Sequence, residues 1–260
     1  MLNSIIVIQA RMGSSRLPGK VLKLIHGKSV LAHIVERVRQ TAGIDRVIVA
    51  TTTEPKDDPI VEEAQKQNWF FFRGSEDDVL ARYYGAALEH PAQNIFRLTA
   101  DNLFYDTEAL ADLLTQFTGL SYDYMKTNKK LPLGSGGELF SFKNLERAYN
   151  EATKTMDRDW VTSYFYTNPD KFSIGEGRFV RNGKDYSSFR LTMDTPEDWT
   201  VYNNVFNTLY HGSPLPLNVV LAYLEEHPEV KAINAHIKQM GVADYKSDAE
   251  LRKEKENAAK

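Results

Sequence analysis

The chain has 260 residues, enough to bury a core in one α/β domain and cramped for a second full one. A net charge of −3 lacks the broad basic face that bulk binding of DNA or RNA needs, so nucleic acid is not an expected partner. The absence of cysteine removes disulfides, thiolate chemistry and zinc–sulfur clusters.

In chain order, the apolar run over 5–9 predicts a buried first strand. It is too short to cross a bilayer, and no charged leader precedes a long apolar run. The expectation is therefore a cytoplasmic protein without membrane attachment. A loop over 11–20 follows at once, with Arg11, Arg16 and Lys20 set among Gly13, Ser14 and Gly19. Cations gathered directly after the first strand of an α/β pattern stand where such folds bind nucleotide phosphates. Arginine forks match phosphate oxygens, lysine adds a mobile charge, and glycines let main-chain N–H groups approach an anion. The plain alternative is a solvated basic loop. Neither a G-x-x-x-x-G-K-[ST] loop nor a G-x-G-x-x-G fingerprint is present.

Apolar spacing then predicts a helix over 29–40, a strand over 46–51, and a helix opened by Asp58 and Pro59. A short aromatic strand over 69–72 leads into Gly74-Ser75-Glu76-Asp77-Asp78 and a helix through Ala87. A strand over 94–99, a helix over 107–117 and a strand over 122–126 complete the first half. This alternation predicts an α/β fold with a mostly parallel central sheet flanked by helices. In the second half, Gly134, Gly136 and Gly137 mark a turn into a strand over 135–142. Helices follow over 143–152 and 157–166, a strand over 189–193, a helix from Pro196 and another over 217–226. One domain is expected over 1–245, with a charged, frayed or disordered tail over 246–260.

Two acids close predicted strands: Asp101 after 94–99 and Asp194 after 189–193. Ligands collect beyond the carboxyl ends of strands in open α/β sheets, so both acids can face one cavity and hold Mg2+. Read alone, each also suits a helix N-cap, Asp194 above all because Thr195-Pro196-Glu197-Asp198 follows it.

Residues 9–22 resemble the Q-A-R-M-G-S-x-R-L-P-G-K-x-L signature of the cytidylyltransferase family that includes spore-coat polysaccharide biosynthesis protein F. They are similar, more distantly, to the CMP-sugar synthetases for ketodeoxyoctulosonate and sialic acid. The resemblance implies a single-domain Rossmann-like, glycosyltransferase-A-like nucleotidyltransferase fold. It also implies Mg2+-dependent transfer of CMP from CTP to a sugar or sugar-like acceptor, with pyrophosphate leaving, in polysaccharide or glycoconjugate biosynthesis. On this reading Gln9, Ala10, Arg11, Gly13, Ser14, Arg16 and Lys20 hold the nucleotide. Residues 97–101 are similar to the family's R-I-T-G-D, which adds Arg97 and Thr99 to the nucleotide side and makes Asp101 a metal ligand. Residues 191–198 are similar to W-T-V-D-T-P-E-D, which makes Asp194 the second ligand. Arg11, Lys20 and Asp101 are the implied catalytic groups. Residues 74–84 match G-S-E-D-D-V-L-x-R-Y-Y, so Ser75, Asp78 and Arg82 are implied base or ribose contacts, against the plain reading of a capped helix start.

The likeness runs over about 5–204 and breaks at two places: after the strand over 94–99, where the family's G-D-C-P-L-I-D-P keeps only its acid, Asp101, with larger residues beside it, and, more tellingly, over 131–142. The family's Y-P-D-G-L-D-V-E-V-F-S-F stands here as residues 131–142, with its two aspartates replaced by Leu133 and Gly136 and Glu138 kept. That segment borders the acceptor side in relatives, so Gly136 and Glu138 are implied acceptor contacts and a changed acceptor is expected. Relatives are often dimers, so a homodimer is implied by the resemblance and by nothing in the composition. Two other functions remain open: a nucleotide-binding relative without catalysis, and a transferase using another nucleoside triphosphate.

Overall fold

Alternate residues of the first strand are buried on opposite sides, and this divides the core in two. In β1 (Ser4–Gln9), Ile6 and Ile8 join one apolar cluster while Ile5 and Val7 join the other. A strand apolar on both faces belongs in a parallel sheet covered by helices. A computed structural model describes residues 3–14 and 16–239; the tail expected over 246–260 lies outside them.

The chain continues through a small hairpin, β2 (Leu24–Ile25) and β3 (Lys28–Ser29), into α1 (Val30–Val38), whose N-cap is the Ser29 hydroxyl. Then come β4 (Arg46–Thr52), α2 (Asp58–Lys66), β5 (Phe70–Gly74), α3 (Val79–Glu89), β6 (Asn94–Thr99) and α4 (Thr107–Gly119). The second half holds β7 (Tyr124–Lys126), β8 (Glu138–Ser141), α5 (Phe142–Glu151), α6 (Thr155–Asp159), α7 (Ser163–Tyr166) and β9 (Ile174–Glu176). It ends with α8 (Pro196–Leu209), α9 (Leu217–Glu226) and α10 (Pro228–Ala232). The main sheet has the order β5-β4-β1-β6-β8-β7-β9, and β8 runs against its neighbours while the other pairings are parallel. Helices α1, α2, α4, α8 and α9 cover one face; α3, α5 and α7 cover the other.

From β1 the chain moves outward to β4 and β5, then returns to the opposite side of β1 as β6. Strand order reverses between β1 and β6, where Gln9 and Thr99 lie side by side. In such sheets the crevice beyond this reversal receives the ligand. The loop over 10–20 and the turn carrying Asp101 both leave from there.

Two predicted elements are corrected. The helix expected over 157–166 is two short helices, parted at Val161, whose φ of 56° is a strained left-handed value for a β-branched residue. The break lets the Thr162 hydroxyl donate to Glu138 Oε1 at 2.9 Å. The strand expected over 189–193 is extended but pairs with the sheet's neighbourhood only through a bridge between Leu133 and Arg190. Its main chain ties other loops together instead: Leu133 N–H donates to Phe189, Leu191 N–H to Leu133, and Met193 N–H to Asp101. Gly134 makes this approach possible. Its φ is +91°, and a Cβ there would stand 2.5 Å from the Leu191 carbonyl oxygen.

Candidate active site

The loop after β1 curls back on itself. Gly19, at φ 67°, donates its N–H to Met12 O, and Met12 N–H donates to Asp57 Oδ1 at 2.6 Å. Gly19 is the left-handed turn residue, and it starts the one-turn 3-10 helix Lys20–Leu22. The turn sends Lys20 inward, where only 8% of it is exposed. Its Nζ donates to Asp101 Oδ2 at 3.2 Å, to Asp194 Oδ1 at 2.9 Å and to the Met193 carbonyl at 2.7 Å. Residues from three distant stretches of chain thus meet at one ammonium. Burial works against the Lys20 charge, but the two carboxylates outweigh it and raise its pKa above the ordinary lysine value. Asp194 shows the mirror effect: burial disfavours its charge, while Lys20, Arg16 and Arg190 lower its pKa.

Neither aspartate is a helix cap. Helix α4 is capped by Asp106, and α8 by a capping box in which Thr195 and Asp198 exchange hydrogen bonds. Asp101 takes the Thr99 hydroxyl at 2.6 Å on Oδ1. Thr99 is clamped by Tyr105, which donates its hydroxyl to Thr99 O at 2.9 Å and accepts from Thr99 N–H at 2.7 Å. Burial pushes the Tyr105 hydroxyl up to about 12, so it remains a donor at neutral pH. Asp194 Oδ2 takes Arg16, from the half-solvated lip of the loop, at 3.1 Å. Behind it, buried Arg190 reaches Asp194 at 3.4 Å and grips Asp198 with Nε at 2.8 Å and Nη2 at 3.0 Å. Asp198 is fully buried, and it also accepts from the Asp194 and Thr195 N–H groups and from Asn234.

A second group lies beside the loop. Gly13 faces the ion pair of Lys56 and Glu76. Asp78 caps α3 through Oδ1 and binds Arg158 through Oδ2, while the Ser75 hydroxyl accepts from Asp78 N–H. Arg82 is buried and donates to Ser75 O at 2.7 Å, but its Nε has no hydrogen-bond partner. Burial, then repulsion from Arg11, lowers its pKa. Gln9, at the end of β1, also has an unpartnered buried atom, Oε1. Ala10 is buried and spends its N–H on Ala50 O. Ser14 accepts from Leu17 N–H, an internal contact of the loop.

On the other side, a cavity of about 510 Å3 is bordered by Thr99, Asn102 and Tyr105 near Asp101 and by Gly136, Glu138 and Lys126 at its far end. Arg97 and Glu138 face each other across β6 and β8 and pair at 2.5 Å. Glu138 also accepts from Tyr124 at 2.5 Å and from Thr162. Arg97 loses water on burial, yet Glu138 together with Tyr83 and Tyr124 raises its pKa. A Cβ on Gly136 would stand 2.0 Å from Thr127 Oγ1, so a larger residue there would have to push the Thr127 side chain aside. A wider hollow of about 630 Å3 between α1 and α2 contains none of these groups.

The structure therefore brings Lys20, Arg16, Thr99, Asp101 and Asp194 together. It sets Arg11, Ser75, Asp78 and Arg82 in an adjoining group, and it pairs Arg97 with Glu138. Sequence reasoning missed Arg190, Asp198 and Tyr105. The T-x-x-D pattern of 195–198 signals the cap that fixes Asp198; nothing local signals the other two.

A cytidylyltransferase family model matches residues 5–239. The chain is 31% identical over 233 residues to the spore coat polysaccharide biosynthesis protein SpsF of Bacillus subtilis, covering 86% of this chain and 94% of that one. It superposes on a cytidylyltransferase from Leptospira borgpetersenii with a TM-score of 0.82 at 26% identity, over 93% of this chain and 100% of the other. It shares its fold with a CMP:2-keto-3-deoxy-manno-octonic acid synthetase solved with CTP (TM-score 0.62, 17% identity, 79% of this chain and 99% of that one). Among the described residues no helix is long and apolar enough to cross a membrane. The family resemblance and the α/β fold read from the sequence both hold, and the chain belongs to the cytidylyltransferase family.

Proposed function

We propose that the chain moves CMP from CTP to a sugar-like acceptor, with pyrophosphate leaving, in polysaccharide or glycoconjugate biosynthesis. The observation that carries this reading is the meeting of Lys20, Asp101 and Asp194 where strand order reverses. The name of the B. subtilis relative supports the pathway class, and the CTP complex of the structural neighbour supports the base.

Arg11, Arg16 and Lys20 bind the β- and γ-phosphates, and an acceptor oxygen attacks the α-phosphorus in line with departing pyrophosphate. Negative charge grows on the leaving oxygens, and the cations of the loop offset it. The acceptor oxygen needs no protein base if it is already ionised, and no histidine is assigned one. Around Lys20 Nζ stand two carboxylates and one carbonyl, the hard oxygen donors that Mg2+ takes. Asp101 and Asp194 would hold the ion. When bound it supplies further charge neutralisation at the phosphates.

Gln9 Oε1 and Arg82 Nε, both buried without partners, are polar atoms open to the nucleoside, and Ser75 and Asp78 hold the turn beside Arg82. The acceptor enters the cavity ending at Gly136 and Glu138, whose charge Arg97 already balances. Titration calorimetry with the four nucleoside triphosphates in Mg2+ tests the base: CTP should bind at least tenfold more tightly than the others. Pyrophosphate release with a panel of sugar acids and sugar phosphates tests the transfer. Tight CTP binding with no exchange of labelled pyrophosphate into CTP under any acceptor would make the chain a binder instead.

A further inference from the structure

Lys20 stands where a cation belongs. Its Nζ contacts two carboxylates and a carbonyl oxygen. All three of its N–H donors are used, and a divalent ion seeking the same oxygens would meet an ammonium among them. We propose that the Asp101–Asp194 site takes a divalent cation only as a metal–triphosphate complex, with Lys20 keeping out the free ion until phosphate oxygens draw it away. This rests on the nucleotidyl-transfer reading and adds the form in which the metal arrives.

Charge supports it. Among the described residues, the cluster linked by these ion pairs holds three cations, Lys20, Arg16 and Arg190, and three carboxylates, Asp101, Asp194 and Asp198. It is neutral, so a free divalent ion gains little there and pushes against a nearby ammonium. A triphosphate changes both terms. It brings its own negative charge, and it offers Lys20 and Arg16 new acceptors, which releases oxygens of Asp101 and Asp194.

The fold lets these two cations move without disturbing the carboxylates. Arg16 is on the exposed lip of the loop, and Lys20 is a long flexible chain on a one-turn helix. Asp194 stays in place because Asp198 accepts its N–H at 2.8 Å and Arg190 bridges the two acids. Asp101 stays because Thr99, itself clamped by Tyr105, donates to it from the sheet side. Anchored carboxylates with a removable cation are what an exchange of ligands requires.

Mn2+ binding followed by water-proton relaxation on the full chain tests this without measuring turnover. The wild type should bind no Mn2+ alone at millimolar concentration and should show bound Mn2+ once CTP is added. Lys20→Met should bind Mn2+ alone at least tenfold more tightly than the wild type, and adding Asp194→Asn to it should abolish that gain. A thermal melt checks that the variants fold; if Lys20→Met does not, the two wild-type arms decide alone. Wild type that binds Mn2+ alone as tightly as with CTP would overturn the proposal while leaving CTP binding, and hence nucleotidyl transfer, standing. A chain that shows bound Mn2+ in no arm with CTP would overturn both.

Discussion

The two ends of the cleft are built differently. At the Lys20 end, side chains from the first loop, the turn after β6 and the segment before α8 neutralise one another across long sequence separations. At the Glu138 end, shape is set by the absence of side chains at Gly134 and Gly136 and by a carboxylate already satisfied by Arg97, Tyr124 and Thr162. The first end is a cluster of mutually neutralised charges, as the proposed nucleotidyl transfer needs. The second is a fitted wall, and walls change with what they must admit. Leu133 and Gly136, which replace two acids of the family pattern, both stand on that wall.

Substitutions should separate the two ends, and the largest effect is expected behind the electrostatic one. Arg190→Leu leaves fully buried Asp198 without its bidentate partner, so it should cost about 3–5 kcal/mol of stability in denaturant unfolding. Asp198→Asn in the same chain should recover part of that loss. Next, Lys20→Ala and Asp101→Ala should each lower turnover at least about a hundredfold, roughly 3 kcal/mol of transition-state stabilisation, in proteins that still fold. At the wall, Gly136→Ala should cost about 1–3 kcal/mol of stability through its clash with Thr127, and Thr127→Ala should relieve it. Its effect should fall on the KM for acceptor and leave CTP binding unchanged.

The smallest effect is in pH dependence. Asp194 has a folded pKa below its unfolded value, so its stabilising contribution is present at neutral pH and is lost as pH falls through the folded value. Lys20 has a raised folded pKa, so its contribution is complete below the unfolded value and is lost as pH rises through the folded one. Asp194→Asn should therefore flatten the acid limb of the stability profile below about pH 4 and leave the neutral region nearly flat. An unchanged acid limb would mean that other carboxylates govern it.

Much of the frame was legible because local signals and burial agree. Helix α9 begins and ends at the predicted residues, and α8 starts at Pro196. Burial along nearly all of β1 and β6, with alternate residues of β1 packed on opposite faces, is what a two-sided sheet imposes. The failures share a cause. Residues 189–193 are buried and apolar like a strand, yet their hydrogen bonds go to Leu133 and Asp101, which no local pattern reveals. Residues 157–166 have helical spacing, but the chain breaks at Val161, where Thr162 turns to a long-range contact with Glu138. In the site, Lys20, Asp101 and Asp194 were found through motif resemblance, whereas Tyr105 and Arg190 act through contacts made only on folding.

A structure with CTP and Mg2+ bound tests the central claim most directly. Lys20 Nζ should have left Asp101 and Asp194 for the phosphates, with the metal between those two carboxylates and the base near Gln9 and Arg82. Triphosphate bound away from Lys20, or an ion with neither aspartate as ligand, would contradict it.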